Sequence, residues 1–84
     1  MRIMHLYTMV DDPERVRAVA PRHAEYWQAL RLPGYLGGPF GDRLGGLISF
    51  EADSVAAAMP LIEADPFVRE GLLEDSWVRQ WLTE

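Results

Sequence analysis

The segment that decides the fold of this chain runs from Pro21 to Leu30 and reads PRHAEYWQAL. Residues in a helix advance by about 100° each, so His23, Trp27 and Leu30 fall on one face of a helix here. The charged and amide side chains of the segment fall outside that face. Proline suits the first helical position, where its missing N–H needs no partner. The segment therefore predicts an amphipathic helix that begins at Pro21, ends near Leu32 and carries His23 on its apolar face.

The residues before this helix predict a strand and a short helical turn. Residues Arg2–Met9 alternate in a period of two, which is typical of a strand. Both faces of that strand are largely apolar, so the face away from the helices needs a cover of its own. Asp12 and Pro13 favour a helix start, and a helical turn is predicted over Arg15–Ala20, with an interruption at Pro21.

The residues after the helix predict two strands, a second helix and a final strand. Proline at position 33 cannot continue the first helix, and Pro60 should kink the second one. The predicted elements are a strand over Tyr35–Phe40, a turn over Gly41–Gly46, a strand over Leu47–Ala52, a helix from Asp53 to Asp65, a helical turn over Phe67–Leu73 and a strand over Ser76–Leu82.

The predicted order of strand, helix, strand, strand, helix, strand is that of a ferredoxin-like βαββαβ sandwich, built from two split βαβ units. Right-handed crossovers give a four-stranded antiparallel sheet in the order 4-1-3-2, with both helices on one face. The chain has 84 residues, which is enough for one domain over residues 1–84. The predicted fold class is therefore α+β.

Composition narrows the classes of function and location. The chain contains no cysteine, which excludes disulfides and thiolate metal sites and favours a cytoplasmic location. Its net charge is -5 and its basic residues are scattered, which argues against nucleic acid or an anionic membrane surface as a partner. The apolar runs are too short to span a membrane, and we expect no signal peptide.

The predicted topology brings three polar side chains to one end of the sheet, namely His23, Asp42 and Asp65. An imidazole titrates near neutral pH, and a carboxylate bonded to one ring nitrogen fixes its tautomer and raises its basicity. The other nitrogen could then take a proton from a substrate hydroxyl or an acidic C–H. Aromatic side chains could form a flat apolar wall for a ring-shaped ligand: Tyr7, Tyr26, Trp27 and Tyr35.

Each of these polar residues also has a purely structural interpretation. A histidine on an apolar helix face can be a core residue, Asp65 can end a helix before proline, and Asp42 can form a hairpin turn. The paired glycines match no phosphate-binding spacing and favour a hairpin. His5 and His23 lack a nearby third ligand, so we expect neither a metal site nor a cofactor.

Four motifs in order carry a family resemblance. They are Arg22-His23 within a Pro-x-His-x-x-Tyr helix, the strand end Gly37-Gly38-Pro39-Phe40, the pair Gly45-Gly46, and Ala64-Asp65-Pro66-Phe67-Val68. Together they cover nearly the whole chain, which resembles the YCII-related (YciI-like) domain family. The resemblance implies a ferredoxin-like fold that forms a dimeric α+β barrel through the open sheet faces. It also implies an active site with a histidine and an aspartate, for which His23 and Asp65 match best and Asp42 is the second choice.

The first hypothesis is a cofactor-independent lyase or isomerase that acts on a cyclic or aromatic metabolite. His23 and Asp65 would be its catalytic residues, and the predicted substrate-binding residues are Tyr7, Tyr26, Trp27, Pro39, Phe40 and Asp42. The alternatives are a non-catalytic ligand-binding or accessory dimer and a cofactor-free monooxygenase. The apolar first strand, together with Trp77 and Trp81, predicts a homodimer through the open sheet face.

Overall fold

Strand β1 (Arg2–Met9) lies inside a four-stranded antiparallel sheet in the computed structural model, which describes residues 1–84. The other elements are α1 (Pro13–Ala29), β2 (Leu36–Pro39), β3 (Gly45–Glu51), α2 (Val55–Glu63), α3 (Pro66–Arg69) and β4 (Leu73–Gln80). The strands lie in the order β2-β3-β1-β4 and all pair antiparallel. This confirms the predicted α+β fold and the sheet order 4-1-3-2.

The core lies between one face of the sheet and the helices. Alternate residues of β1 face the helices, so Ile3 and Tyr7 are buried while their neighbours are less so. The register between β1 and β3 places Ile48 and Phe50 on the same face of the sheet as Ile3 and Tyr7. Each helix adds at least one buried side chain: Val19, Trp27, Ala58, Ile62 and Phe67. The three helices therefore cover a single face of the sheet.

Helix α1 differs from its prediction, because it runs without a break through Pro21 and begins at Pro13. The Asp12 side chain caps it by accepting a hydrogen bond from the backbone N–H of Arg15. Proline inside a helix removes one backbone hydrogen bond. Here the buried Val19 and Trp27 lie on either side of that position, so packing against the sheet holds the helix together across it.

Other element boundaries differ from the predicted ones by a few residues. Gly45 and Gly46 belong to β3 and are buried, because they pair with Thr8 and Tyr7 rather than forming a turn. Strand β4 begins three residues before Ser76, since it pairs along β1 as far as Met9. Helix α2 continues through Pro60, as α1 does through its own proline. Helix α3, a short third helix on the same face, ends well before Leu73.

The second face of the sheet has no helix over it. Register with β1 places Trp77 opposite Leu6, on the face away from the core. Large apolar side chains remain exposed there, with Leu36 at 72%, Trp77 at 41% and Trp81, just beyond β4, at 50%. This face of the sheet is therefore an apolar surface that no helix covers. Separately, none of the three helices has the length and apolarity needed to cross a membrane.

Candidate active site

A histidine and an aspartate that are 42 positions apart in the sequence form a direct pair. The Nδ1 atom of His23 lies 2.8 Å from Oδ1 and 2.9 Å from Oδ2 of Asp65. A carboxylate can only accept, so the ring proton lies on Nδ1 and points at the aspartate. The Asp65 side chain is 1% exposed and that of His23 is 13% exposed. The pair is therefore enclosed at the aspartate and open at the far side of the imidazole.

Two further donors hold the Asp65 carboxylate. The indole Nε1 of Trp27 donates to Oδ2 at 2.8 Å, and the backbone N–H of Phe67 donates to Oδ1 at 2.8 Å. The second bond arises because Asp65 caps α3. His23 and Trp27 are four residues apart on α1, so their side chains project from the same face and reach one acceptor. Both carboxylate oxygens are thus fixed in a buried, fully hydrogen-bonded position.

The other imidazole nitrogen faces a tyrosine. Nε2 of His23 lies 3.4 Å from the Tyr7 hydroxyl, which donates to it when the ring is neutral. Burial raises the pKa of Tyr7, and the negative charge of Asp65 raises it further, so this phenol stays protonated. The Phe67 ring stacks on the imidazole, with centroids 4.1 Å apart and an angle of 23° between the planes. His23 is therefore held on three sides.

The free side of His23 opens into a cavity of about 1030 Å³. One wall comes from α1, through the small or apolar Val16, Ala20 and Ala24 and through the polar Arg17 and Gln28. The opposite wall comes from the core face of the sheet and the start of α3: Tyr7, Tyr35, Gly37, Gly38, Pro39, Gly45 and Phe67. Charged side chains also line the cavity, among them Asp11, Arg43 and Asp75. A concave site that combines apolar walls with polar groups is typical of small-molecule sites.

The structure brings only some of the predicted binding residues to this cavity. Tyr7 and Pro39 line it together with His23. Tyr26 turns away, because its hydroxyl donates to the carbonyl oxygen of Leu61 at 2.6 Å. Tyr26 is not among the residues that line the cavity, and its hydroxyl is bonded to α2.

Three other predicted residues also lie elsewhere. Trp27 is fully buried behind the pair and contacts Asp65 instead of the cavity. Phe40 lines a separate depression of about 660 Å³ on the open face of the sheet. Asp42 is exposed and stabilises the β2–β3 hairpin by accepting from the N–H of Leu44 at 2.9 Å. Of the two aspartates considered for His23, it is Asp65 that contacts the histidine.

Sequence reasoning missed the contribution of Phe67 and the true contact of Trp27. An indole N–H is only a donor and usually finds a partner when it is buried. Its spacing of four residues from His23 was a usable signal that both side chains share one acceptor. No periodicity pointed to Phe67, because its ring reaches the imidazole from α3 through the tertiary fold.

A second histidine lies close to the site but outside the cavity. His5 is fully buried on the core face, with its ring centroid 5.1 Å from that of Tyr7. Its Nδ1 donates to the carbonyl oxygen of Trp77 at 3.4 Å, and Nε2 has no partner. Burial lowers the pKa of His5, against a smaller opposing effect of the Trp77 carbonyl. No group of three or more His, Cys, Asp or Glu side chains is arranged to hold a metal ion.

Comparison with known proteins gives a family and a fold. Among solved structures, 5-chloro-2-hydroxyhydroquinone dehydrochlorinase from Burkholderia phenoliruptrix AC1100, in complex with 2,5-dihydroxybenzoquinone, superposes with a TM-score of 0.85. It is 23% identical, and the match covers 100% of this chain and 96% of that one, which shows a shared fold. No protein with a curated description matches the chain. The family model of the YCII-related domain matches residues 1–82, so the chain belongs to the YCII-related domain family.

Proposed function

We propose that this protein is a small-molecule enzyme of the lyase or isomerase type that transfers a proton to or from a cyclic or aromatic substrate. The observation that carries the proposal is the His23–Asp65 pair, whose imidazole lines the cavity with Nε2 next to the Tyr7 hydroxyl. His23 is the general base and acid, and Asp65 is the residue that orients it. This oriented imidazole is the arrangement that general acid–base catalysis requires.

The proposed chemistry begins at a hydroxyl group of the substrate. Nε2 of His23 takes the hydroxyl proton, and the electron pair moves into the ring as a carbonyl forms. The buried Asp65 carboxylate stabilises the resulting imidazolium through Nδ1. A ring carbon then takes the proton from the imidazolium, which gives the keto tautomer and is an isomerisation. Where that carbon also carries an anionic leaving group, His23 then removes the proton of a second ring hydroxyl; a second carbonyl forms and the group departs with its bonding electrons, which is an elimination. Both outcomes share the first proton transfer.

Three side chains support this proton transfer without taking the proton themselves. Trp27 and the backbone of α3 fix Asp65, so the carboxylate cannot rotate away from the imidazole. Tyr7 stays protonated because burial raises its pKa, and it can donate to the substrate oxygen as negative charge develops. Phe67 keeps the imidazole plane in place by stacking.

The cavity and the structural neighbour both support a ring-shaped substrate. The cavity lining includes the aromatic side chains of Tyr7, Tyr35 and Phe67, which suit a planar ring. The neighbouring dehydrochlorinase is named for a chlorinated hydroxyhydroquinone and holds 2,5-dihydroxybenzoquinone. At 23% identity its substrate is a guide to chemical class, namely hydroxylated rings.

The proposal includes a homodimer that forms through the open sheet face, in the cytoplasm. Leu36, Trp77 and Trp81 give that face exposed apolar surface, which would be covered in a dimer. The depression next to Phe40 lies on the same face. The absence of cysteine supports the location.

The test is deuterium exchange at the ring carbons of 1,2,4-trihydroxybenzene in D₂O under nitrogen, followed by proton NMR. Exchange requires a proton transfer at a ring carbon and needs no leaving group. We expect the protein to accelerate exchange over buffer and His23→Ala to reduce that acceleration by roughly 10²-fold or more. Tyr26→Phe is the matched control, since its hydroxyl bonds only to α2. Binding without acceleration would instead support the non-catalytic ligand-binding alternative.

A further inference from the structure

The three tyrosines of the chain differ in what their hydroxyls contact. The Tyr26 hydroxyl donates to the Leu61 carbonyl, and the Tyr7 hydroxyl contacts Nε2 of His23. The Tyr35 hydroxyl has no hydrogen-bond partner in the protein, although its ring is half-buried and lines the same cavity as His23. A phenol in a cavity wall with no internal partner is available to a ligand.

The Tyr35 ring is held in place from both sides. It stacks parallel to Trp27, with centroids 6.3 Å apart and an angle of 8° between the planes. Its hydroxyl lies over Gly37 of β2, where a Cβ atom would be only 2.5 Å from that oxygen. Glycine at position 37 therefore makes room for the Tyr35 hydroxyl at the sheet surface.

The Tyr7 hydroxyl occupies a similar space over Gly46 of β3, where a Cβ atom would collide with it. Strands β2 and β3 are paired so that Gly37 lies opposite Ile48 and Pro39 opposite Gly46. The two glycines are thus diagonal neighbours on the core face of the sheet. Two phenol hydroxyls therefore lie over diagonal positions of the same sheet face, and both tyrosines line the cavity.

We propose that the Tyr35 hydroxyl donates a hydrogen bond to a second oxygen of the ring substrate, while Tyr7 and His23 bind the oxygen that loses its proton. This inference rests on the proposed function and deepens it. It restricts the substrate class to planar rings that carry at least two oxygen substituents. Tyr35 is a specificity-determining residue in this scheme, and Gly37 is a positioning residue.

The electrostatics of the wall agree with a donor role for Tyr35. Burial raises the pKa of Tyr35, and the charge of Asp65 raises it further, so the phenol is protonated at neutral pH. The hydroxyl can then donate to a carbonyl or phenolate oxygen of the ligand. A site built around a hydrogen-bonding group discriminates against ligands that lack the matching atom.

The experiment compares two probes by NMR titration under nitrogen. 1,2,4-Trihydroxybenzene offers a second oxygen at the ortho, meta and para positions, whereas phenol offers none. We expect Tyr35→Phe to raise the Kd for trihydroxybenzene by roughly 2- to 10-fold, the range for one lost hydrogen bond, and to leave the Kd for phenol unchanged. Gly37→Ala should raise the same Kd by displacing the hydroxyl. Tyr26→Phe should change neither Kd.

The outcomes separate this inference from the proposed function. If Tyr35→Phe binds both probes as the wild-type protein does, the inference fails, and the loss of exchange in His23→Ala still supports acid–base chemistry. If Tyr35→Phe loses the preference for trihydroxybenzene while His23→Ala exchanges at the wild-type rate, the inference holds and the catalytic role of His23 fails. A wild-type protein that does not prefer trihydroxybenzene to phenol would also overturn the inference.

Discussion

The two histidines of this protein lie on either side of Tyr7, yet their surroundings are opposite. The Tyr7 ring centroid is 5.1 Å from that of His5 and 6.0 Å from that of His23. His23 has a carboxylate on one nitrogen, a phenol on the other and a cavity beside it. His5 is sealed in the core, with one long contact to a carbonyl and one nitrogen without a partner.

The difference shows what turns a buried histidine into a candidate catalyst. An imidazole on an apolar surface is a poor base when burial alone acts on it, because burial disfavours its charged form. Asp65 bonds to Nδ1 of His23, and the cavity gives a ligand access to the imidazole. His5 contacts no carboxylate and lines no cavity, and burial lowers its pKa. We expect mutations to separate the two histidines in stability, pH dependence and activity.

The largest loss of stability is expected from substitution of Asp65, the aspartate that distinguishes His23 from His5. Asp65→Ala removes the acceptor of three buried donors, from His23, Trp27 and the Phe67 backbone. Each unsatisfied buried donor costs about 1–3 kcal/mol, so the free energy of unfolding should fall by about 3 kcal/mol or more. Urea unfolding measures this change. Asp42→Ala is the matched control and should cost well under this, since Asp42 is exposed.

An equal loss in the two aspartate variants would contradict the geometry of the pair. Asp65→Asn offers a second measurement, because its side chain keeps the volume and one acceptor oxygen. That variant should fold but lose most of the ring-exchange activity, since an amide cannot stabilise the imidazolium. Retained exchange in Asp65→Asn would argue that the carboxylate is structural only.

The sequence predicted the candidate pair but not its setting. Helical periodicity placed His23 on the inner face of α1, and the order of elements brought Asp65 to the same end of the sheet. Topology alone could not choose between Asp65 and Asp42. The segment that follows α2 and the hairpin between β2 and β3 both lie at the end of the sheet where His23 was expected. The choice depends on the cap of α3, whose backbone turns the Asp65 carboxylate inward.

The continuous helix and the contacts of the indole were beyond sequence reasoning for a physical reason. Proline costs about 3 kcal/mol in a helix interior, so local propensity predicts a break at Pro21. Buried side chains on both sides of that position, Val19 and Trp27, offset the cost through tertiary packing. A helical wheel likewise shows which face Trp27 occupies, but not which acceptor lies behind it.

A smaller effect, in pH dependence, is expected at His5. Burial lowers the pKa of His5 below the ordinary value of 6.5. Near and below that pH, His5 therefore binds a proton more readily in the unfolded chain than in the folded protein. Stability should therefore fall as the pH drops below about 6.5, by up to about 1.4 kcal/mol per pH unit from this one group. His5→Phe should remove that part of the slope in urea unfolding between pH 7.5 and pH 5.

The same variant tests the contrast in function. His5→Phe should keep the ring-exchange rate within about threefold, because its ring lines no part of the cavity, whereas the His23 variants lose activity. A His5→Phe variant with the full wild-type slope would show that other groups carry the pH dependence. A variant without exchange activity would bring His5 into the site.

The smallest effect is expected at the residue that lies between the two histidines. Tyr7→Phe removes the hydroxyl that contacts Nε2 of His23 but keeps the ring that packs against His5. Because the hydroxyl lies 3.4 Å from Nε2, the bond is long, and its loss should change the free energy of unfolding by less than about 1 kcal/mol. Exchange activity should fall roughly 2- to 10-fold, the range for one hydrogen bond. The stability slope below pH 6.5 should be unchanged, because that slope comes from His5. A changed slope would mean that the Tyr7 hydroxyl serves the unpartnered nitrogen of His5, and the two histidines would then form one coupled unit.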